Sequence, residues 1–194
     1  MMKSLHRLLF IVGLCIFGQP FAFADQGQDQ DFAITVNTSG EMLIVDANFT
    51  VSATPHEAWD VLIDYDHMAE FLPNLQVSKI INAAGNKIQV LQKGKVSYGL
   101  LSFAFDSVRE VELSPYKEIR SHVISGSIKQ ANGTTQLIPE GNNTRIIYHN
   151  ESLPNFWLPP GIGPSFVKRE TLEQFQDMKN EILRRKAAQP KINP

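Results

Sequence analysis

Cysteine is almost missing: Cys15 is the only one in 194 residues. If the first 24 residues are removed, as the leader described below implies, no disulfide and no thiol chemistry remain, and a packed core must supply the stability. A cationic surplus is missing too. The 18 Lys and Arg are outnumbered by 20 Asp and Glu, for a net charge of −2, whereas a surface that tracks phosphates is basic, so nucleic acid is not an expected partner. The longest apolar run, Leu8 to Phe17, is broken by Gly13 and falls short of the ~20 residues that span a bilayer. There is no Gly-x-Ser-x-Gly elbow, no phosphate-cradling glycine loop and no His-Glu-x-x-His helix, so neither a catalytic residue set nor a metal or cofactor is expected. Disorder is excluded by the 43% hydrophobic content, which is enough to fill a core.

What is present at the front reads as a leader. Lys3 and Arg7 precede the apolar run, and Phe21-Ala22-Phe23-Ala24 ends in the A-x-A spacing of a signal-peptidase site, which predicts cleavage after Ala24 and a periplasmic or secreted protein. Loss of Lys3 and Arg7 moves the net charge from −2 to −4. The lack of disulfides favours a bacterial periplasm. The mature chain has the length of one domain: a flexible polar terminus over 25–31, a domain over 32–186 and a tail over 187–194 are expected.

Periodicity organises the rest. Phe32 to Val36 and Met42 to Val51 are extended segments around a turn at Asn37 to Gly40. Thr54, Pro55 and Glu57 form an N-cap, a proline at the first helical position and a capping-box partner, which predicts a helix to about Ile63. Asp64 is expected to cap a second short helix ending before Pro73. Strands follow over 77–83, 87–98, 101–113 and 118–124; Asn132-Gly133 predicts a hairpin turn into a strand over 134–138, and Gly141-Asn142-Asn143 leads into one over 144–152. Residues 153–164 hold four prolines and two glycines and read as a loop. A final helix over about 164–185 places Leu172, Phe175, Met178 and Ile182 on one stripe. The order implies an α+β fold, an antiparallel sheet with its helices on one side.

The segment Val51-Ser52-Ala53-Thr54-Pro55-His56-Glu57-Ala58-Trp59-Asp60-Val61-Leu62-Ile63-Asp64-Tyr65, continuing through Phe71-Leu72-Pro73-Asn74-Leu75, resembles the opening of the START-like (SRPBCC) superfamily, in its polyketide cyclase/dehydrase and coenzyme Q-binding branch. Gly126, Gly133, the strand Gly141 to Tyr148 and the terminal helix extend the resemblance over about 32–185. It implies the helix-grip (START/Bet v 1-like) fold, a curved seven-stranded antiparallel sheet around a long C-terminal helix over a deep apolar cavity. One departure concerns a cavity wall: many relatives carry Trp two residues after the glycine matched by Gly133, where this chain has Thr135.

Such a fold implies a hydrophobic small-molecule partner, a lipid, isoprenoid or polyketide-like compound, with transient contact to a membrane surface during exchange. The ligand-binding candidates are Phe71, Leu72, Phe103, Phe105, Arg109, Tyr148, Asn150, Trp157, Phe166 and Phe175. Strand alternation puts Phe103, Phe105, Arg109 and Val111 on one face unless a bulge intervenes, and Tyr148 and Asn150 on the apolar face of the last strand. A buried Arg109 must then be satisfied by a protein carboxylate or by a ligand head group. Arg120 and His122 are ambiguous in face. Phe156, Trp157 and Leu158, with Phe71 and Leu72 opposite, are candidates for a gate or for plain core packing. His67 with Asp64 and Asp66 imitates a metal cluster, but caps are the expected use of such acids at a helix start. Two other readings stand beside the carrier: a cyclase or dehydratase acting on a carbonyl, and an interaction module with a collapsed cavity.

Overall fold

The computed structural model describes residues 32–98, 101–154 and 163–189. The leader, the segment 25–31, the last residues of the tail and the gate candidates Phe156, Trp157 and Leu158 lie outside the described residues.

The elements run β1 (Phe32–Ser39), β2 (Met42–Val51), α1 (Pro55–Leu62), α2 (Met68–Phe71), β3 (Leu75–Ala84), β4 (Lys87–Tyr98), β5 (Leu101–Ser114), β6 (Glu118–Gly126), β7 (Ile128–Glu140), β8 (Asn143–Pro154) and α3 (Gly163–Ala188). All eight strands pair antiparallel in the order β1-β2-β8-β7-β6-β5-β4-β3. This is the helix-grip arrangement with eight strands where the resemblance implies seven. The added strand is β1, at the edge beyond β2, where Phe32 packs its ring 4.8 Å from that of Phe49.

Burial follows the alternation. In β2, Leu43, Val45, Ala47, Phe49 and Val51 are buried while Asp46 and Asn48 are exposed. The same face receives α3 through Phe175, Met178 and Ile182, with the Phe175 ring 5.2 Å from Phe49 and 5.1 Å from Tyr148. Each such side chain contributes about 1.5–3 kcal/mol by leaving water. The α1 cap forms as expected: Thr54 Oγ1 accepts from the Glu57 N–H at 3.3 Å, and Glu57 Oε2 accepts from the Thr54 N–H at 2.7 Å.

Three local expectations are corrected. Asp64 does not cap α2, whose N-cap is His67 without a side-chain cap bond. Asp64 is bound instead by His67 Nδ1 at 2.6 Å and by Arg185 at 2.7 Å, because charge-assisted partners outweigh a single backbone N–H. Asp66 accepts from the Ile80 N–H of edge strand β3 at 2.8 Å, so the acids of the imitation metal cluster are engaged by His67 within it and by Arg185 and Ile80 outside it. Finally, Asn132-Gly133 is not a turn. Gly133 pairs with Ser121 on one side and Asn150 on the other, and two flanking ladders hold it extended against its local turn preference. The reversal lies at Gly126-Ser127 instead: Gly126 has φ +128, and the Ser127 N–H donates to Asp106 O at 2.9 Å.

Candidate ligand-binding cavity

Between the inner face of the sheet and α3 lies a cavity of about 310 Å³. One wall is apolar, formed by Leu43, Val45, Val167, Phe175 and Met178. The other is not. Ser121, Thr135, Asn150 and Ser152 occupy the inward positions of β6, β7 and β8, and Gln92, Arg109, Tyr65 and Tyr148 join them, so half of the lining side chains are polar and the expected deep apolar pocket is amphipathic. Thr135 stands on this wall, where an indole would take up space.

Arg109 organises the polar end. Its strand keeps regular register with β4, Ser107 opposite Gln92 and Arg109 opposite Val90. The bulge lies on the other side, where β6 inserts Ile124 between Val123 and Ser125, so Arg109 stays on the inner face. Its Nη2 donates to Gln92 Oε1, and its Nε is buried without a hydrogen-bond partner. Among the described residues the side chain has no carboxylate partner. Tyr65 and Tyr148 flank it. Burial pushes both phenols above their ordinary pKa, with the Arg109 charge pulling the other way, so both stay protonated near neutral pH and offer O–H donors. No carboxylate, imidazole, amine or thiol lines the cavity among the described residues.

Of the ten candidates, Arg109, Tyr148, Asn150 and Phe175 converge on this cavity. Five others sit elsewhere. Leu72 is core, 1% exposed. Phe71 lies under the Arg185 guanidinium, 5.6 Å from its ring centroid, beside a surface hollow with Asp64, His67 and Glu181. Phe105 lays its ring over Gly94, filling the space that a Cβ there would need. Phe103 and Phe166 pair at 6.5 Å between β5 and the first turns of α3, off the cavity wall. Trp157 is outside the described residues. Phe71 meets α3 near Arg185, and the other half of the gate pairing, Phe156 to Leu158, lies outside the described residues. Arg120 and His122 face outward, in a shallow hollow with Lys87 and Glu110.

Sequence reasoning missed Gln92, Tyr65 and Ser121 as wall residues, whereas Thr135 stands on the wall as the resemblance implied. Gln92 left a signal: it continues the inward set Ile88, Val90, Gly94 of β4 as its one long polar member, 7% exposed.

A family model described as polyketide cyclase / dehydrase and lipid transport matches residues 51–179. The chain belongs to this family. No curated protein matches in sequence. Among solved structures, the STAR-related lipid transfer protein from Xanthomonas axonopodis is similar over 79% of this chain and 94% of its own, at 13% identity and a TM-score of 0.68. The Zhui aromatase/cyclase from Streptomyces sp. R1128 covers 74% and 95% at 16% identity, TM-score 0.64. A START superfamily protein from Mycobacterium smegmatis covers 73% and 97% at 10% identity, TM-score 0.63. At these identities the likeness establishes the family's fold, and the binding chemistry has to be read from the cavity.

Proposed function

We propose that the chain is exported by cleavage after Ala24 and acts, in the periplasm or as a secreted protein, as a non-catalytic carrier of an amphipathic small molecule of lipid, isoprenoid or polyketide type. The apolar body lies against Phe175, Met178 and Val167, and an oxygen-bearing head meets Arg109, Tyr148 and Asn150. The observation that carries this reading is the state of Arg109: a half-buried guanidinium facing the cavity with an unpartnered Nε and only an amide oxygen as acceptor. A guanidinium that is partly withdrawn from water without a matching acceptor loses solvation, and a ligand oxygen would offset that loss. The family description, which includes lipid transport, points the same way. Loading and release would involve transient contact with a membrane surface.

The test is to purify the chain from Asp25 onward out of the periplasm of its own cells without denaturant, extract it with organic solvent and identify what is enriched. A stoichiometric apolar compound, lost or depleted in Arg109→Met, is the expected result. A folded chain that comes out empty, and takes up no apolar compound afterwards, would overturn the carrier.

The enzyme reading has one observation in its favour, two phenols beside a guanidinium, a set that can polarise a carbonyl. Proton removal from carbon would fall to a phenol whose pKa burial raises, the wrong direction for a base at neutral pH. Turnover of a carbonyl substrate abolished by Tyr148→Phe would reverse this preference. The collapsed module is disfavoured by the cavity itself, about 310 Å³, against roughly 30 Å³ for one water.

A further inference from the structure

Resting on the carrier reading and deepening it, we infer that Gln92, by being neutral where a carboxylate would fit, makes the cavity select ligands with a carboxylate head, received by Arg109. Gln92 is 7% exposed and stands between Ser78 on β3 and Ser107 on β5, its register partners. Arg109 is its diagonal neighbour, two residues beyond Ser107, within reach of a long side chain.

The amide is locked at both ends. A guanidinium only donates, so the atom turned to Arg109 must be Oε1. The Nε2 end then points away and donates to Ser78 Oγ at 3.0 Å, with Met68 Sδ at 3.6 Å. Glutamate has the same length and shape, and elsewhere this chain does place glutamate on its arginines: Glu181 holds Arg184 at 2.7 Å and Arg185 at 2.6 Å. At position 92 that carboxylate is replaced by an amide, which fixes the guanidinium in place without neutralising it.

The groups around the head then form a donor surplus. Arg109 keeps an unused Nε–H, and no hydrogen bond of the Tyr65 or Tyr148 hydroxyl is found among the described residues. The matching ligand group is an acceptor with several lone pairs and one negative charge, because a carboxylate takes two or three such donors and cancels the charge. A hydroxyl or ketone head accepts fewer bonds and leaves the guanidinium uncompensated.

The experiment measures decanoate and decanol at neutral pH, by displacement of Nile red from the delipidated chain from Asp25 onward. The wild type is expected to prefer decanoate. Gln92→Glu places a carboxylate on Arg109 and is expected to lower the decanoate-to-decanol affinity ratio about tenfold or more, a tenfold change being ~1.4 kcal/mol. Gln92→Met, which fills the site without charge, is expected to keep the decanoate preference. A merely structural role would weaken both ligands alike in both variants and leave the ratio in place, which would overturn the inference. So would a wild type that takes decanol as well as decanoate, a result that needs no variant to fold and leaves the carrier standing. If neither ligand displaces Nile red, the inference falls, while the carrier reading stands or falls on the extraction described above.

Discussion

Arg185 and Arg109 stand on either side of the segment between α1 and α2, where Asp64 binds the first and Tyr65 flanks the second, and they are treated in opposite ways. Near the C-terminus of α3, Arg185 donates to Glu181 at 2.6 Å and to Asp64 at 2.7 Å, while Arg184 donates to both Glu181 oxygens at 2.7 Å. Glu181 is 6% exposed, and the Arg184 and Arg185 bonds hold its carboxyl down at about 2. Lys186 adds a bond to Ser52 O at 2.6 Å. Cations also suit the carbonyl end of a helix. This end is closed on itself: it clamps α3 to the α1–α2 turn and has its charges matched. Around Arg109 the same side chain meets an amide and two phenols, and its charge is left for something else. Matched charges mark the part that holds the fold, and an unmatched one marks the part that receives a ligand.

The comparison can be broken by substitution, beginning with the largest effect. Ile182 is fully buried beside the clamp, and Ile182→Ala is expected to cost about 3 kcal/mol in denaturant unfolding; a loss under about 1 kcal/mol would mean that α3 is not seated there as described. Glu181→Gln is expected to cost about 2 kcal/mol, below the full penalty for a broken buried pair because Arg185 keeps Asp64 and Arg184 is exposed. Acid has the same target. The folded value of Glu181, about 2, lies below its ordinary 4.5, so its contribution is complete above about 4.5 and is lost as pH falls toward 2. Asp64, also held low by His67 and Arg185 although its burial opposes this, adds to that loss. Unfolding curves of the wild type should weaken across that window, and those of Glu181→Gln more shallowly.

The paired test is Arg185→Met against Arg109→Met. The first is expected to destabilise by about 2 kcal/mol, and the second to be neutral or stabilising by about 1 kcal/mol in ligand-free protein, because it removes an unmatched charge. Equal destabilisation by both would erase the distinction between the two arginines. The smallest effect is at His67. Its pKa is raised by the Asp64 contact, so its contribution is full below the ordinary 6.5 and fades as pH rises through the higher folded value. A slight loss of melting temperature on the alkaline side of neutral, absent in His67→Gln, is the expected reading.

How far the sequence reaches is visible in the same residues. The α1 cap was legible because Thr54, Pro55 and Glu57 interact within one turn. The inward set of β2 and the stripe Phe175, Met178 and Ile182 were legible because burial repeats with the period of the backbone. Four of the ten candidate contacts reach the cavity, and Arg109, Tyr148 and Asn150 among them came from strand alternation. The aromatic candidates fared worse. Phe71, Leu72, Phe103, Phe105 and Phe166 are apolar enough to line a pocket and equally apt to plug a core, and nothing in composition separates the two uses.

By itself the sequence determined most of the elements and their faces, because helix and strand periodicity and end caps are set by neighbours along the chain, and it left Arg109 inward only if no bulge intervened in its strand. Only the tertiary structure decided that Asn132-Gly133 is strand, that Phe71 belongs to the closed end, and that Arg109 meets Gln92, 17 residues away, and no carboxylate among the described residues. Those outcomes depend on which side chains from distant strands come within hydrogen-bonding distance, and only the folded sheet sets that distance.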